Sequence, residues 1–277
     1  MGVINVTPDS FSDGGLCLDP GAAVDAGLAM VDAGADILDI GGESTRPGAE
    51  PVDAAEECRR VLPVVKALAR QTPVPLSIDT YKADVAAAAL DAGASIVNDI
   101  SGLRYQPELA RVAAAGGAAL VLMHMRGRSK TMYEAAEYRS VADDVAAELR
   151  ESVEAAVERG VPRAAIILDP GLGFAKRAGQ SFEVLARLDA PALTALDRPW
   201  LVGPSRKSFL TSATGPLPPA ERDWATAAAV AAAVLLGAHI VRVHRVAEMV
   251  QVVRVADRVR ALREAPPSAS GGEEAGG

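Results

Sequence analysis

Asp32-Ala-Gly-Ala-Asp-Ile-Leu-Asp-Ile40 returns in altered form as Asp91-Ala-Gly-Ala-Ser-Ile-Val-Asn-Asp-Ile100. Both stretches close a helical pattern on a glycine and run directly into a short apolar segment carrying acidic or amide side chains near its end. Glycine just past a helix end supplies the left-handed turn from which a chain re-enters a sheet. Leu236-Gly-Ala238 does the same before another such segment. Helix, turn and strand repeated along one chain imply a parallel sheet with right-handed crossovers.

Outward from these repeats, strand-like segments fall at Gly2–Val6, Asp36–Ile40, Val74–Asp79, Ser95–Ile100, Ala119–His124, Ala165–Asp169, Pro199–Gly203 and His239–His244. Most are near-continuous apolar runs, as strands buried on both faces are. The stretches between them carry apolar stripes: Val24, Leu28 and Val31; Ala55, Cys58, Leu62, Val65 and Leu68; Val141, Val145, Leu149, Val153 and Val157. Those are the spacings of amphipathic helices. Strand and helix alternating in this way predict an α/β fold, a single (β/α)8 TIM barrel, rather than an open doubly wound sheet. The 277 residues suit one barrel of roughly 250 residues better than two domains. The barrel is expected over residues 1–264, followed by a disordered tail, 265–277, rich in Pro, Ser, Gly and Glu.

The formal charge of −8 argues against nonspecific nucleic-acid binding. No apolar run approaches the roughly 20 residues of a membrane span, and no signal peptide precedes the first motif. Cys17 and Cys58 give neither a metal-ligand spacing nor a disulfide framework, so a reducing, cytoplasmic location is expected.

In a barrel the chemistry gathers at the C-terminal strand ends. Those ends read Asn5, Asp39, Asp79, Asn98–Asp99, Met123–His124, Asp169, Ser205–Lys207 and Arg242–His244. A single Asp there often only caps a helix or anchors a loop; polar residues at nearly every end argue for one shared mouth. Arg46, Arg206, Lys207, Arg242 and His244 supply cationic donors for an anion, and Arg can grip phosphate oxygens with two bonds. Asn5 suits a hard cation such as Mg2+, which keeps waters and is completed by substrate phosphates. Asp79, Asn98 and Asp169 match the edge of a flat heterocycle, and such fixed patterns reject ligands that lack the complement.

Two loops, Thr7–Asp19 and Gly41–Pro51, exceed the usual length of about two to six residues for such connections. Phe11 and Arg46 near their tips mark them as lids or binding loops. Other chemistries fail: there is no Gly-x-Gly-x-x-Gly, Walker loop or His-Glu-x-x-His. His124 reads as a hydrogen-bonded structural histidine, and three scattered histidines do not suggest zinc.

At this point the residues resemble a known family. Met1-Gly-Val-Ile-Asn-Val-Thr-Pro-Asp-Ser-Phe-Ser-Asp-Gly-Gly15 and Asp39-Ile-Gly-Gly-Glu-Ser-Thr-Arg-Pro-Gly48 are similar to the two opening signatures of the dihydropteroate synthase family. The likeness continues through Ser77–Thr80, Val97–Gly102, Met123–Met125, Leu168–Phe174, Gly203–Ser208 and Arg242–His244. The resemblance implies an enzyme that transfers a pterinylmethyl group. It would join 6-hydroxymethyl-7,8-dihydropterin pyrophosphate to 4-aminobenzoate, giving 7,8-dihydropteroate and pyrophosphate in folate biosynthesis, with sulfonamides as competitors.

The resemblance also implies roles. Asn5 would ligate Mg2+ on the pyrophosphate. Asp79, Asn98, Asp169 and Lys207 would hold the pterin, with Met123 and Phe174 around it and Arg242 stacked on its face. Thr45, Arg242 and His244 would lie by the pyrophosphate. Phe11, Arg46, Pro47 and Ser208 would complete the 4-aminobenzoate site, and Asp13 would assist catalysis alongside Asp79 and Lys207. Mechanistically, a dissociative, SN1-like step is implied.

The chain starts within the first signature, which leaves the first strand as the expected weak point. Arg245 stands where relatives commonly have Asp, and Leu172 where Phe is frequent. A pterin-binding methyltransferase, or a paralogue that binds a pterin without synthase activity, are the alternatives. A homodimer is implied, for which Ala225–Leu236 and Val246–Leu262 offer surfaces, though ordinary packing on the barrel explains them equally well.

Overall fold

The strands are β1 Gly2–Asn5, β2 Leu38–Gly41, β3 Leu76–Asp79, β4 Ile96–Asp99, β5 Ala119–Met123, β6 Ile166–Asp169, β7 Leu201–Val202 and β8 Ile240–Val241. The helices are α1 Pro20–Asp32, α2 Ala54–Gln71, α3 Ala83–Asp91, α4 Leu109–Ala115, α5 Val141–Glu158 and α6 Ala178–Ala186, then the one-turn α7 Pro191–Thr194 and α8 Thr211–Thr214, and finally α9 Asp223–Leu235 and α10 Val246–Glu264. This computed structural model describes residues 1–7, 19–44, 50–127, 132–134 and 136–264. Phe11, Asp13, Thr45, Arg46, Pro47 and the tail 265–277 lie outside the described residues.

β1 to β6 form one parallel ladder in chain order, and β7 and β8 form a second. Single parallel bridges, Leu168 with Trp200 and Gly2 with Val243, join the two. The ring of eight is therefore continuous, as the repeats predict. Its last two strands are only two residues long, shorter than their apolar runs, because the pairing beyond them is reduced to those bridges. β1 is bonded on both sides: Gly2 N–H donates to Ile37 O at 2.8 Å and Val3 N–H to Val243 O at 3.1 Å.

Two apolar layers explain why the strands read as unbroken runs. Successive strand residues face opposite sides. Ile4, Ile40, Ile78, Val97, Leu120 and Leu168 pack with the helices in the main core. Met1, Ile96, Val121 and Leu201, with Ile37, Ala119, Ile167 and Ile240, form a separate cluster, which fills the interior of the ring. Both faces of the strands thus carry apolar packing, so alternation disappears.

On the helices, Val141, Val145, Leu149 and Val153 of α5 are buried as expected. The stripe on α2 needs correcting. Ala55 is exposed, and the buried side is Glu57, Val61, Val64, Val65 and Leu68. The apolar pattern misled because a charged residue, Glu57, holds a core position, where an ion pair with Lys82 makes it tenable. The glycines that close the repeats, Gly34, Gly93 and Gly237, have φ of +97°, +114° and +99°, the left-handed geometry the sequence asks for.

Candidate active site

Residues paired across a parallel ladder project from the same side of the sheet. One row runs Asn5, Gly41, Asp79 and Asn98 across β1 to β4. Met123 and Asp169 pair in the same way at the ends of β5 and β6. Gly41 places no side chain in the row; a Cβ there would only touch Asp79 at an ordinary contact distance of 3.4 Å.

Arg242, just beyond β8, reaches across the mouth and forks two carboxylates. Its Nε donates to Asp39 Oδ2 at 2.6 Å and its Nη2 to Asp79 Oδ2 at 2.8 Å. Asn98 Nδ2 donates to the same Asp39 oxygen at 3.0 Å. One guanidinium thus serves two buried carboxyl groups. Burial pushes Asp79 up to about 7, against the pull of Arg242, because a low dielectric penalises the charged form.

Opposite this fork, Asp169 Oδ1 accepts from Gly171 N–H at 2.7 Å, and burial raises its pKa despite the Lys207 charge. Lys207 donates to Leu172 O at 2.7 Å and stands 4.6 Å from the centre of the Phe174 ring. Burial lowers its ammonium to about 8, with Asp169 pulling the other way. Met123 packs with Ile100, Met125, Met132 and Ala175, and Tyr81, Tyr105 and Phe174 lie against them. An apolar wall therefore borders the charged groups. His244 is held by Ser205, its Nδ1 2.9 Å from Ser205 Oγ. Ser208 is exposed and, with Tyr133, Gly173, Lys176, Arg177, Ala178 and Phe209, lines a cavity of about 340 Å3.

The fold thus brings Asn5, Asp79, Asn98, Met123, Asp169, Phe174, Lys207, Arg242 and His244 to the same strand ends. Arg206 does not join them. Its Nε and Nη2 fork Asp223 at 2.7 and 2.8 Å, which commits it to the start of α9 rather than to an anion. Asp99 follows the bland reading of a strand-end acid: its oxygens accept from Ser101 N–H, Ser101 Oγ and Leu103 N–H. It anchors the loop, and burial raises it to about 6.

Sequence reasoning missed two groups. Asp39, taken only as one strand end among many, is the hub on which Arg242 and Asn98 converge. Glu43 accepts from Val52 N–H at 3.0 Å, Tyr81 Oη at 2.9 Å and Lys82 Nζ at 2.6 Å, so it joins the flanks of the second long loop. Glu57 pairs with the same ammonium. A charged residue in the middle of the α2 stripe was the one available signal for that cluster.

His124 and Lys176 form a further buried pair, Nζ to Nδ1 at 2.8 Å. Burial lowers His124 to about 4 and Lys176 to about 7. As a cation site, the mouth offers the amide oxygen of Asn5. The described residues hold no group of three or more His, Cys, Asp or Glu that could bind a metal by itself. One neutral hard donor fits a cation whose remaining ligands are water and phosphate oxygens.

The model of the family described as pterin binding enzyme matches residues 1–244. The dihydropteroate synthase of Mycobacterium leprae is 50% identical over 252 residues, covering 89% of this chain and 88% of that protein. The Yersinia pestis dihydropteroate synthase, solved with a sulfonamide drug complex, superposes with a TM-score of 0.88 at 40% identity, over 94% of this chain and 93% of that one. The Xanthomonas albilineans dihydropteroate synthase in complex with 7,8-dihydropteroate superposes with a TM-score of 0.84 at 40% identity, over 96% and 93% of the two chains.

Proposed function

Since the chain belongs to the pterin-binding enzymes, and among them to the dihydropteroate synthases, we propose that it joins 6-hydroxymethyl-7,8-dihydropterin pyrophosphate to 4-aminobenzoate in folate synthesis. The observation that carries this reading is the convergence of Asp79, Asn98, Asp169, Lys207 and Arg242 from five different strand ends onto one mouth. The acceptors and amide would read the pterin edge, Met123 and Phe174 would flank the ring, and Arg242 would lie on its face. His244 and Arg242 would meet the leaving pyrophosphate.

An aromatic amine is a weak nucleophile, so activation has to come from the electrophile. The electron-rich dihydropterin spreads positive charge from its exocyclic methylene, which favours an SN1-like departure of pyrophosphate. Arg242 stabilises charge that grows on the leaving group, a preorganised effect that costs no rearrangement at the moment of reaction. Asn5 and the pyrophosphate oxygens would hold Mg2+, which when bound neutralises the same charge. Phe11, Arg46, Pro47 and Ser208 would complete the 4-aminobenzoate side, where sulfonamides would compete, while Thr45 would lie by the pyrophosphate and Asp13 would assist the reaction.

We further propose a homodimer, supported by the exposed apolar side chains Trp224 on α9 and Val255, Val259 and Leu262 on α10. Sedimentation velocity tests it. The described residues hold no helix long and apolar enough to cross a membrane, and a cytoplasmic location is proposed. Pyrophosphate release and product formation, measured with and without 4-aminobenzoate and Mg2+, test the activity. A folded sample with no 4-aminobenzoate-dependent product would sink the reading.

A further inference from the structure

Lys176 is 1% exposed, a state that an ammonium reaches only when its donors are met. It has three acceptors: His124 Nδ1 at 2.8 Å, Gly171 O at 3.1 Å and Phe174 O at 3.1 Å. The first comes from the end of β5 and the other two from the turn that leaves β6. Between those two carbonyls lies Leu172, whose own carbonyl takes the Lys207 ammonium at 2.7 Å. The Phe174 ring borders the same ammonium. Whatever fixes the turn from Gly171 to Phe174 therefore fixes where Lys207 points.

The other side of His124 shows how the lysine is oriented. His124 Nε2 stands 3.3 Å from Glu148 Oε2 on α5 without a hydrogen bond between them; with Nδ1 accepting from the Lys176 ammonium, the neutral ring carries its hydrogen on Nε2. Glu148 is held in turn by Arg104 at 2.8 Å and by Arg126. A chain of contacts runs from α5 through β5 to the turn after β6. We propose that Lys176 is a positioning residue for pterin recognition, which holds the Gly171–Phe174 turn in the shape that presents Lys207 to the ring. The proposal rests on the pterin reading above.

Isothermal titration with the dihydropterin pyrophosphate, in the absence of 4-aminobenzoate, separates this proposal from that reading. Wild-type protein that does not bind the pterin overturns the reading itself. With binding present, Lys176→Met is expected to weaken pterin affinity about tenfold, a coupling typical of groups in one network. In a Lys207→Ala background the same change is expected to cost less than about twofold, because the lysine it serves is gone. A merely structural role predicts equal losses in both backgrounds, and equal losses overturn the proposal. So does a folded Lys176→Met protein with wild-type affinity. If Lys176→Met does not fold, His124→Leu, which removes one of the three acceptors, is run through the same cycle with the same criteria.

Discussion

Two ionic clusters lie side by side at the strand ends and are built in opposite ways. In the mouth, Arg242 serves both Asp39 and Asp79, its own side chain is 21% exposed, and burial leaves Asp79 with a pKa of about 7. Behind the mouth, the Lys176 ammonium meets three acceptors, one of them His124 Nδ1, and Glu148 is gripped by Arg104 and Arg126. The first cluster has more carboxylate than cation and an open edge, so it can answer to a ligand. The second is closed and holds backbone in place. Polar residues near a site thus divide by whether their partners are complete within the chain.

The sharpest way to break this division is to remove one member of the open cluster. Asp79→Ala and Lys207→Ala are each expected to lower turnover by about 100-fold or more, the scale of losing a charged contact to a reacting ligand. Circular dichroism should show an intact fold, and near-normal turnover in both variants would overturn the assignment of the mouth.

The closed cluster is probed by its backbone. Gly171 has φ +69°, and a Cβ there would lie 2.0 Å from the His124 carbonyl oxygen. Gly171→Ala is expected to destabilise the protein by about 2–4 kcal/mol, through a clash combined with left-handed strain. Urea unfolding measures this; a loss below about 0.5 kcal/mol would show that the turn is not held as described.

The clusters also differ in where they titrate. Asp79, at about 7, accepts an N–H far more strongly when ionised, so if it meets the pterin edge as proposed, pterin affinity should fall as the pH drops through about 7. Asp79→Asn should abolish that inflection in binding titrations. His124 is lowered by burial to about 4 from 6.5. Its folded form binds fewer protons than its unfolded form between those values, so its contribution is present above pH 6.5 and is lost as the pH falls towards 4. The raised Asp79 and Asp99 act with opposite sign, so the comparison is with His124→Gln, whose stability relative to wild type should improve as the pH falls from about 6.5 towards 4, because the variant lacks the histidine's loss.

The smallest effect is expected at Arg245. Its guanidinium pairs with Glu248 on the surface, and His244 is supported by Ser205 instead. Exposed pairs contribute about 0–1 kcal/mol, so Arg245→Asp should change kcat/KM by less than about fivefold. A larger change would place Arg245 in the open cluster.

Much of this was legible in the chain alone. Glycine after a helix, then an apolar run, then a polar end carries the whole architecture, because left-handed closure and two-sided burial are local demands. The strand-end residues carried the mouth for the same reason: a parallel strand delivers its last side chain to one rim whatever the rest of the fold does. What the tertiary structure decided is which of those side chains are already spoken for. Arg206 and Asp99 look in sequence like Arg242 and Asp79, yet Asp223 and the Ser101–Leu103 turn claim them. Asp39 becomes a hub, and Lys176, with no motif of its own, becomes a brace. Partnership between charges depends on distances across strands far apart in the chain, and no local pattern records those distances.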